Sequence, residues 1–236
     1  MRQMEKTYKK GLLRKFLIKI CRLLGYELID QSDMSFITSL NKESASIAGK
    51  KSITLPLGEI KIKRKIRSLD IILKTCTAVN LVTQNKKRIF EHEKSEYTFR
   101  TINSLLKSLK KSKQYINNIN LQITIIDSGS SKGDKEKMQE ILEKSKFKFN
   151  FIELNLNDYL QRIKVIKKNN TQIENNMKST MASIIKSFEV STNSNDLIYF
   201  VEDDYIHSID CISEMISAYE KFSTVLEDEI FILPVD

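Results

Sequence analysis

Three consecutive carboxylates, Glu202, Asp203 and Asp204, directly follow an apolar run at residues 197–201. Such a run is typical of a strand buried on both faces, and ligands of open α/β sheets bind where the strands end. Adjacent negative charges repel one another, which is costly unless a cation or hydrogen-bond donors offset them. Mg²⁺ and Mn²⁺ prefer oxygen ligands, and Mg²⁺ is commonly held by one or two carboxylates together with substrate phosphates. The cluster therefore predicts a site for Mn²⁺ or Mg²⁺ and a diphosphate-bearing substrate, with an acidic turn before the next helix as the alternative.

The segments around the carboxylates alternate between strand-like and helix-like patterns. Four further segments have strand character: residues 69–75, residues 121–126, the alternating Phe147, Phe149 and Phe151, and residues 230–235. Other segments have helical spacing or composition: Ile102, Leu105, Leu106 and Leu109; residues 135–144; Met177, Met181, Ile184, Ile185 and Phe188; and Ile209, Ile212, Ile216 and Tyr219. Strands that alternate with helices predict an α/β fold with a mostly parallel sheet flanked by helices, because parallel strands need crossover connections.

Three strand ends should meet at one edge of this sheet. Thr75 ends the first strand, Asp127 follows the second, and the carboxylates follow the strand at residues 197–201. This convergence favours a site, because the carboxyl ends of parallel strands share an edge. Asp127 also opens the turn Asp127-Ser128-Gly129-Ser130-Ser131, and an Asp in that position often serves only as a turn former. Both roles for Asp127 stay open.

The motif Val201-Glu202-Asp203-Asp204-Tyr205 resembles the Asp-X-Asp element of GT-A glycosyltransferases, in a Glu-Asp-Asp variant. Residues 67–236 as a whole resemble the inverting, family 2-type members of that group. Residues 69–75 are similar to their opening strand, Thr101-Ile102-Asn103-Ser104-Leu105-Leu106 to the helix after it, and Asp127-Ser128-Gly129-Ser130 to their Asp-Asp-X-Ser turn. The resemblance implies a GT-A-like, Rossmann-type nucleotide-binding domain.

The resemblance also implies roles for individual residues. The residues expected to contact the nucleotide sugar are Thr75, Asp127, Glu202 and Asp203, and the expected metal ligands are Asp204 and Glu202. Within this set Asp127 would contact the base or ribose, and Thr75 would line the nucleotide pocket. Ser128 stands where the second Asp of the family turn is usual. Asn176 and Ser179 lie where the family often has an Asn and small residues near the donor.

The activity that the resemblance implies is sugar transfer from a nucleotide-diphosphate donor, with a UDP-sugar expected, to the hydroxyl of a glycan or lipid-linked acceptor. Inversion at the anomeric carbon needs a general base, ordinarily Asp or Glu. We find no candidate for it, because the family places it in an acceptor part downstream of the metal motif, which this chain is expected to lack. A non-catalytic nucleotide-sugar-binding or adaptor protein that retains only the donor half is therefore the alternative. Surface polysaccharide or glycan synthesis is the expected setting.

The net charge of +9 lies in one part of the chain. Residues 1–66 hold 15 Lys and Arg against 6 Asp and Glu, a difference of +9, whereas residues 67–236 hold 24 of each. Affinity for a phosphate backbone needs a basic face on the folded domain, so the balanced body argues against a nucleic-acid partner. We predict a basic amphipathic helix in residues 1–30, a connector in 31–66 and the GT-A-like domain in 67–236.

The N-terminal helix is both basic and amphipathic. Residues 1–22 carry 8 basic residues against the single acid Glu5. The apolar residues that recur at helical spacing are Leu12, Leu13, Phe16, Leu17, Ile20, Leu23 and Leu24. Residues 1–24 could contact an anionic membrane surface, or the apolar stripe could dock on the domain or a partner, which is the commoner use of such a helix. No apolar stretch is long enough to cross a bilayer or form a signal sequence, which predicts a cytoplasmic protein, with peripheral contact at the inner membrane face as an option.

Several other classes of protein are disfavoured. Cys21, Cys76 and Cys211 are widely spaced, which supports neither a disulfide framework nor a zinc site. His207, close to the carboxylates, is expected to be a hydrogen-bonded surface residue. The absence of glycine from residues 75–88 argues against a sugar nucleotidyltransferase and a P-loop enzyme, because both need a glycine-rich phosphate loop.

Overall fold

The computed structural model describes residues 12–25, 45–49, 51–55, 58–78, 93–164 and 171–233. The chain divides into two compact units, residues 1–44 and residues 45–236. The first unit contains helix α1, Leu12–Leu23. Within the described ranges, no helix combines the length and the apolar character needed to cross a membrane.

The second unit contains six strands and four α-helices in its described part. In chain order these are β1 (Ser52–Leu55), β2 (Gly58–Lys61), β3 (Ser68–Thr75), α2 (Lys94–Ile116), β4 (Asn120–Asp127), α3 (Lys132–Ser145), β5 (Phe149–Glu153), α4 (Thr171–Ser191), β6 (Leu197–Glu202) and α5 (Cys211–Leu226). A short 3₁₀ helix, Leu156–Asp158, follows β5. The predicted alternation of strands and helices from residue 67 onward is present.

The main sheet has four parallel strands in the order β5-β4-β3-β6. Strand β3 is central, so Thr75 lies beside Asp127 on β4, and Lys74 lies beside Glu202 on β6. The predicted α/β fold with a parallel sheet flanked by helices is confirmed. The register brings the carboxyl ends of β3, β4 and β6 to one edge of the sheet.

The hydrophobic core cluster lies on one face of the sheet. Leu69, Ile71 and Leu73 of β3 pack there with residues of α2, α3 and α5. Successive strand residues point to opposite faces, so Ile72 and Ile126 face the other side, where α4 packs on β3 and β4. Burial on both faces explains why adjacent apolar residues occur within these strands, as at Ile71-Ile72-Leu73 of β3 and Ile125-Ile126 of β4.

The predicted helix at residues 177–188 is present in α4, but its most buried side chains are small ones. Met181 and Phe188 are 44% and 58% exposed, whereas Ala182, Ser183 and Ser187 are buried. The two serines donate to main-chain carbonyl oxygens one turn earlier, at 2.8 Å each, so their hydroxyls are satisfied inside the helix. Small side chains with satisfied hydroxyls can lie against the sheet, and the large apolar residues lie to the side. Phe188 packs edge-on against Phe200 of β6, with ring centroids 5.6 Å apart.

The final predicted strand, residues 230–235, is wrong for the part that the structure describes. Residues 230–233 form no strand, and the Phe231 side chain is fully exposed; residues 234–236 lie outside the described ranges. Helix α5 ends at Leu226, and the next residue, Glu227, caps it in a left-handed conformation with φ of 54°. Glu229 Oε1 then accepts a hydrogen bond from Arg64 Nε at 2.9 Å. An apolar run alone does not make a strand unless its backbone groups meet a neighbouring strand.

The segment that we predicted as a connector, residues 31–66, lies partly outside the described residues. Its later part contains the antiparallel hairpin of β1 and β2. Ile66 joins the main core, and the main-chain amides of Lys63 and Arg64 donate to Thr224 Oγ1 on α5. Arg64 also pairs with Asp196, just before β6. These contacts attach residues 62–66 to the amino end of the sheet, opposite the predicted site.

Candidate functional site

The ends of β3, β4 and β6 are joined by side-chain hydrogen bonds. Thr75 Oγ1 donates to Asp127 Oδ1 at 2.8 Å, which links β3 to β4. The main-chain amide of Cys76 donates to Asp203 Oδ2 at 3.1 Å, which links the end of β3 to the turn after β6. The structure thus brings the predicted residues Thr75, Asp127 and Asp203 to the same edge of the sheet, with Glu202 and Asp204 flanking Asp203 in sequence.

Asp127 is buried, and both of its carboxylate oxygens are occupied within the chain. Oδ1 accepts from Thr75 Oγ1 and from Ser130 Oγ, and Oδ2 accepts from the amides of Gly129 and Ser130 at 3.3 and 3.0 Å. Gly129 has φ of 140°, a conformation that side chains rarely adopt. This arrangement is that of a turn former. A direct contact between the Asp127 carboxylate and a ligand would require some of these bonds to open.

Asp203 is held by three donors that come from two other elements. Lys94 Nζ lies 2.5 Å from Oδ1, and Oδ2 accepts from Thr98 Oγ1 at 3.0 Å and from the amide of Cys76 at 3.1 Å. We call this group, Asp203 with Lys94, Thr98 and the Cys76 amide, the Asp203 clamp. The Lys94 and Asp203 side chains are each only 12% exposed. Lys94 is the first residue of α2, so the carboxylate also lies at the positive end of that helix.

Glu202 and Asp204, on either side of Asp203, remain exposed. Glu202 pairs with its register neighbour Lys74, with Nζ 3.0 Å from Oε1, and its side chain is 57% exposed. Asp204 is exposed, and within the described part of the chain it has no hydrogen bond or ion pair. Burial, followed by the nearby Glu202 and Asp204 charges, raises the pKa of Tyr205. The clamp therefore divides the three carboxylates into one structural anchor and two solvent-accessible groups.

The charges of the chain itself offset most of the acidic cluster. Lys74 and Lys94 each pair with one carboxylate, so Asp204 is the member of the cluster without such a pair among the described residues. The expectation that three adjacent charges call for a bound cation is therefore weakened, because lysines and hydrogen-bond donors supply much of the compensation. The sequence analysis missed both lysines. The register of β3 and β6 could have indicated Lys74, but no local signal indicates Lys94, which is 109 residues from Asp203.

The donor set fits a cation bound together with substrate, not a complete protein cage. Among the residues that the structure describes, no group of three or more His, Cys, Asp and Glu side chains is placed to hold a metal ion. Glu202 and Asp204 nevertheless supply two exposed carboxylates at the same turn. One or two carboxylates completed by phosphate oxygens and water are the ligands that Mg²⁺ commonly takes in proteins. The two residues thus fit such an ion only when a phosphate-bearing ligand completes the coordination.

Three other residues from the sequence analysis lie near this edge or behind it. Ser179 Oγ donates to the Ser128 carbonyl at 3.2 Å, so α4 contacts the turn that Asp127 opens. Asn176 Nδ2 is buried without a hydrogen-bond partner in the described part of the chain. His207 was expected at the surface, but this prediction is wrong: the residue is 7% exposed, and its Nε2 lies 3.1 Å from Tyr199 Oη. Burial lowers the pKa of His207, as expected for a neutral core histidine.

An open cleft of about 580 Å³ adjoins the strand ends between α2 and α3. Its lining comes from the first turns of the two helices and consists of Glu93, Ser95, Glu96, Phe99, Asp134 and Lys137. Thr77, which follows β3, donates from Oγ1 to Asp134 at 2.7 Å and so connects the cleft to the end of the sheet. Lys137 Nζ lies 4.1 Å from the centroid of the Phe99 ring. The cleft therefore combines an aromatic edge with charges of both signs.

Known proteins similar to this chain are few and distant, so they add little to this geometry. No protein-family model matches the chain, and no curated protein sequence matches it. Among solved structures, the chain is similar to the galactosyltransferase LgtC in complex with donor and acceptor sugar analogues, at 11% identity and a TM-score of 0.30. The similarity covers 59% of this chain and 40% of that enzyme. The chain thus spans less than half of the length of that enzyme, and a similarity of this size assigns neither an activity nor a site.

Proposed function

We propose that the domain predicted at residues 67–236 binds a nucleotide-diphosphate sugar at the carboxyl edge of its parallel sheet and takes part in transfer of the sugar to an acceptor hydroxyl. The observation that carries this proposal is the Asp203 clamp. It fixes the acidic turn on α2 and leaves Glu202 and Asp204 exposed beside the ends of β3 and β6. Ligands of open α/β sheets bind at this edge, where strand ends and the first turns of helices meet.

The donor diphosphate is the ligand group that this edge suits best. Helices α2 and α3 both begin there, and helix N-termini favour anions. In this proposal Glu202 and Asp204 hold Mn²⁺ or Mg²⁺, which when bound would neutralise charge on the departing diphosphate. Lys74 now pairs with Glu202 and competes for that carboxylate. Thr75, Asp127 and Asp203 support the pocket by fixing its walls, because their polar atoms are already bonded to one another or to neighbouring groups.

The finer parts of the proposal come from the resemblance to inverting GT-A glycosyltransferases. They are a UDP-sugar donor, a glycan or lipid-linked acceptor and inversion at the anomeric carbon. No general base is assigned. The open cleft between α2 and α3 lies next to the strand ends and offers room for part of the donor. Lys137 at its wall could contact a phosphate.

The proposal is tested by calorimetric titration of the full chain with UDP, first with Mn²⁺ and then with EDTA. We expect binding that depends on the metal, that is lost in Asp204→Asn and that is kept in Glu214→Gln, which removes an exposed carboxylate from α5 as a matched control. Equal UDP affinity in Asp204→Asn would refute the metal assignment. Absence of binding to UDP and to the other nucleoside diphosphates would refute the donor site.

A second measurement separates the enzyme from the non-catalytic alternative. A UDP-sugar is incubated with the chain and Mn²⁺, and release of UDP is followed with and without a sugar acceptor. Release that Asp204→Asn abolishes and Glu214→Gln does not would support transfer or donor hydrolysis. Metal-dependent binding without any release would instead favour a donor-binding adaptor that lacks acceptor chemistry.

A further inference from the structure

Helix α1 exposes the apolar face that the sequence pattern predicts. The side chains of five apolar residues of this segment are 41–86% exposed: Phe16, Leu17, Ile20, Leu23 and Leu24. A contiguous apolar face of this kind on a helix surface indicates an interaction site rather than a solvated surface.

The residues around this face have one sign of charge. At about 100° per residue, the seven apolar residues of the predicted stripe span an arc of roughly 140°, and Ile18 lies outside it. The same period places Arg14 beyond one border of the arc, and Lys15, Lys19 and Arg22 beyond the other. The helix contains no acidic residue. Apolar contact and attraction of anions are therefore built into the same short helix.

We propose that α1 lies in the headgroup region of an anionic lipid surface and attaches the protein to it. The apolar face would enter the boundary between headgroups and acyl chains, while the flanking basic side chains contact lipid phosphates and carboxylates. The 12 residues of α1 extend about 18 Å, which is shorter than the hydrocarbon core of a bilayer. The helix therefore lies along the surface and does not cross it.

Charge complementarity favours lipid over a second copy of the chain. Two copies of α1 packed through their apolar faces would bring basic borders together, and neither helix has an acid to pair with them. An anionic surface instead attracts all of these basic residues, and Lys19 lies nearest to the border of the apolar arc. The body of the protein offers no comparable excess, because residues 67–236 carry equal numbers of acidic and basic residues. The positive charge that an anionic surface would attract therefore lies outside the domain predicted to carry the donor site.

The test is flotation of the full chain with vesicles of phosphatidylcholine, with or without phosphatidylserine. We expect binding only to the vesicles that contain phosphatidylserine, and weaker binding at higher salt. Lys19→Gln should lower the affinity about fivefold, as expected for one basic residue at an anionic surface. The double variant Phe16→Ser with Ile20→Ser should lower it at least tenfold, because two large apolar side chains no longer enter the boundary region.

Matched variants in the second unit serve as controls. Phe231→Ser with Leu233→Ser removes two exposed apolar side chains there, and Lys110→Gln removes an exposed charge from α2. Neither control should change vesicle binding. The proposal is overturned by equal binding to neutral vesicles, or by α1 variants that bind like the wild type. It is also overturned if the chain does not bind vesicles and the α1 variants convert an oligomer into a monomer. That result would mean that α1 pairs with a second copy of the chain.

Discussion

The substitution Lys94→Met tests whether the Asp203 clamp is a buried ion pair that holds the acidic turn in place. Lys94 Nζ and Asp203 Oδ1 are 2.5 Å apart, and each side chain is 12% exposed. Methionine keeps most of the apolar stem but leaves the carboxylate without its cation. Removing one partner of a buried pair typically costs about 3–5 kcal/mol. Because Thr98 and the Cys76 amide still donate to Asp203, we expect the lower end, about 3 kcal/mol.

Urea unfolding at neutral pH measures this loss, provided that the slope of the transition is unchanged. The double variant Lys94→Met with Asp203→Asn removes the uncompensated charge as well. It should regain about 1–2 kcal/mol relative to Lys94→Met alone, since the two residues are directly coupled. As a control, Lys135→Met breaks the ion pair with the exposed Glu153 and should leave the urea midpoint unchanged.

Two results would refute the reasoning about the clamp. One is a Lys94→Met protein that is as stable as the wild type, which would mean that the pair is solvated and contributes nothing. The other is a double variant that is less stable than Lys94→Met, which would mean that Lys94 acts through packing and not through the Asp203 charge. If the clamp positions Glu202 and Asp204, folded Lys94→Met should also lose Mn²⁺-dependent UDP binding, whereas Lys135→Met should keep it.

Two further predictions concern Lys74 and His207. Lys74→Met should raise the affinity for Mn²⁺ in the presence of UDP by up to about fivefold, because it removes a competitor from the half-exposed Glu202. Weaker Mn²⁺ binding in the same calorimetric titration with UDP would contradict this. Burial lowers the pKa of His207, so the imidazole binds protons less readily in the folded protein than in the unfolded chain. Its contribution to stability is therefore complete above the unfolded pKa of about 6.5 and falls as the pH drops below that value. His207→Gln should therefore be less sensitive than the wild type to a pH change from 7 to 5 in urea unfolding, and identical pH profiles would count against a buried neutral histidine.

The elements of the sheet could be predicted because their signals are local. Apolar runs at β3, β4 and β6 and the helical spacing on α2 and α5 lie within single segments. The meeting of strand ends then follows from parallel topology, which is why Thr75, Asp127 and the acidic turn were expected at one edge. The turn at Asp127 was also visible in the sequence as one of two alternatives, because its partners Gly129 and Ser130 are close neighbours.

Other features depend on which surfaces pack together. The apolar spacing of α4 predicted a helix, but the residues buried on it are Ala182, Ser183 and Ser187, and the two serine hydroxyls are satisfied inside the helix. The apolar segment at residues 230–233 pairs with no strand in the described part of the structure. A sequence shows that a face is apolar, but packing decides whether that face is covered.

The sequence by itself determined the charges and their order: three carboxylates after an apolar run, and a basic N-terminal segment joined to a neutral body. Tertiary structure alone decided which of the three carboxylates has no ion pair among the described residues. Lys94 reaches Asp203 across 109 residues of sequence, and Lys74 reaches Glu202 only because β3 and β6 are neighbours in register. Ion pairs depend on separations of a few ångströms, which are set by the packing of α2 and β3 against β6 and not by spacing along the chain.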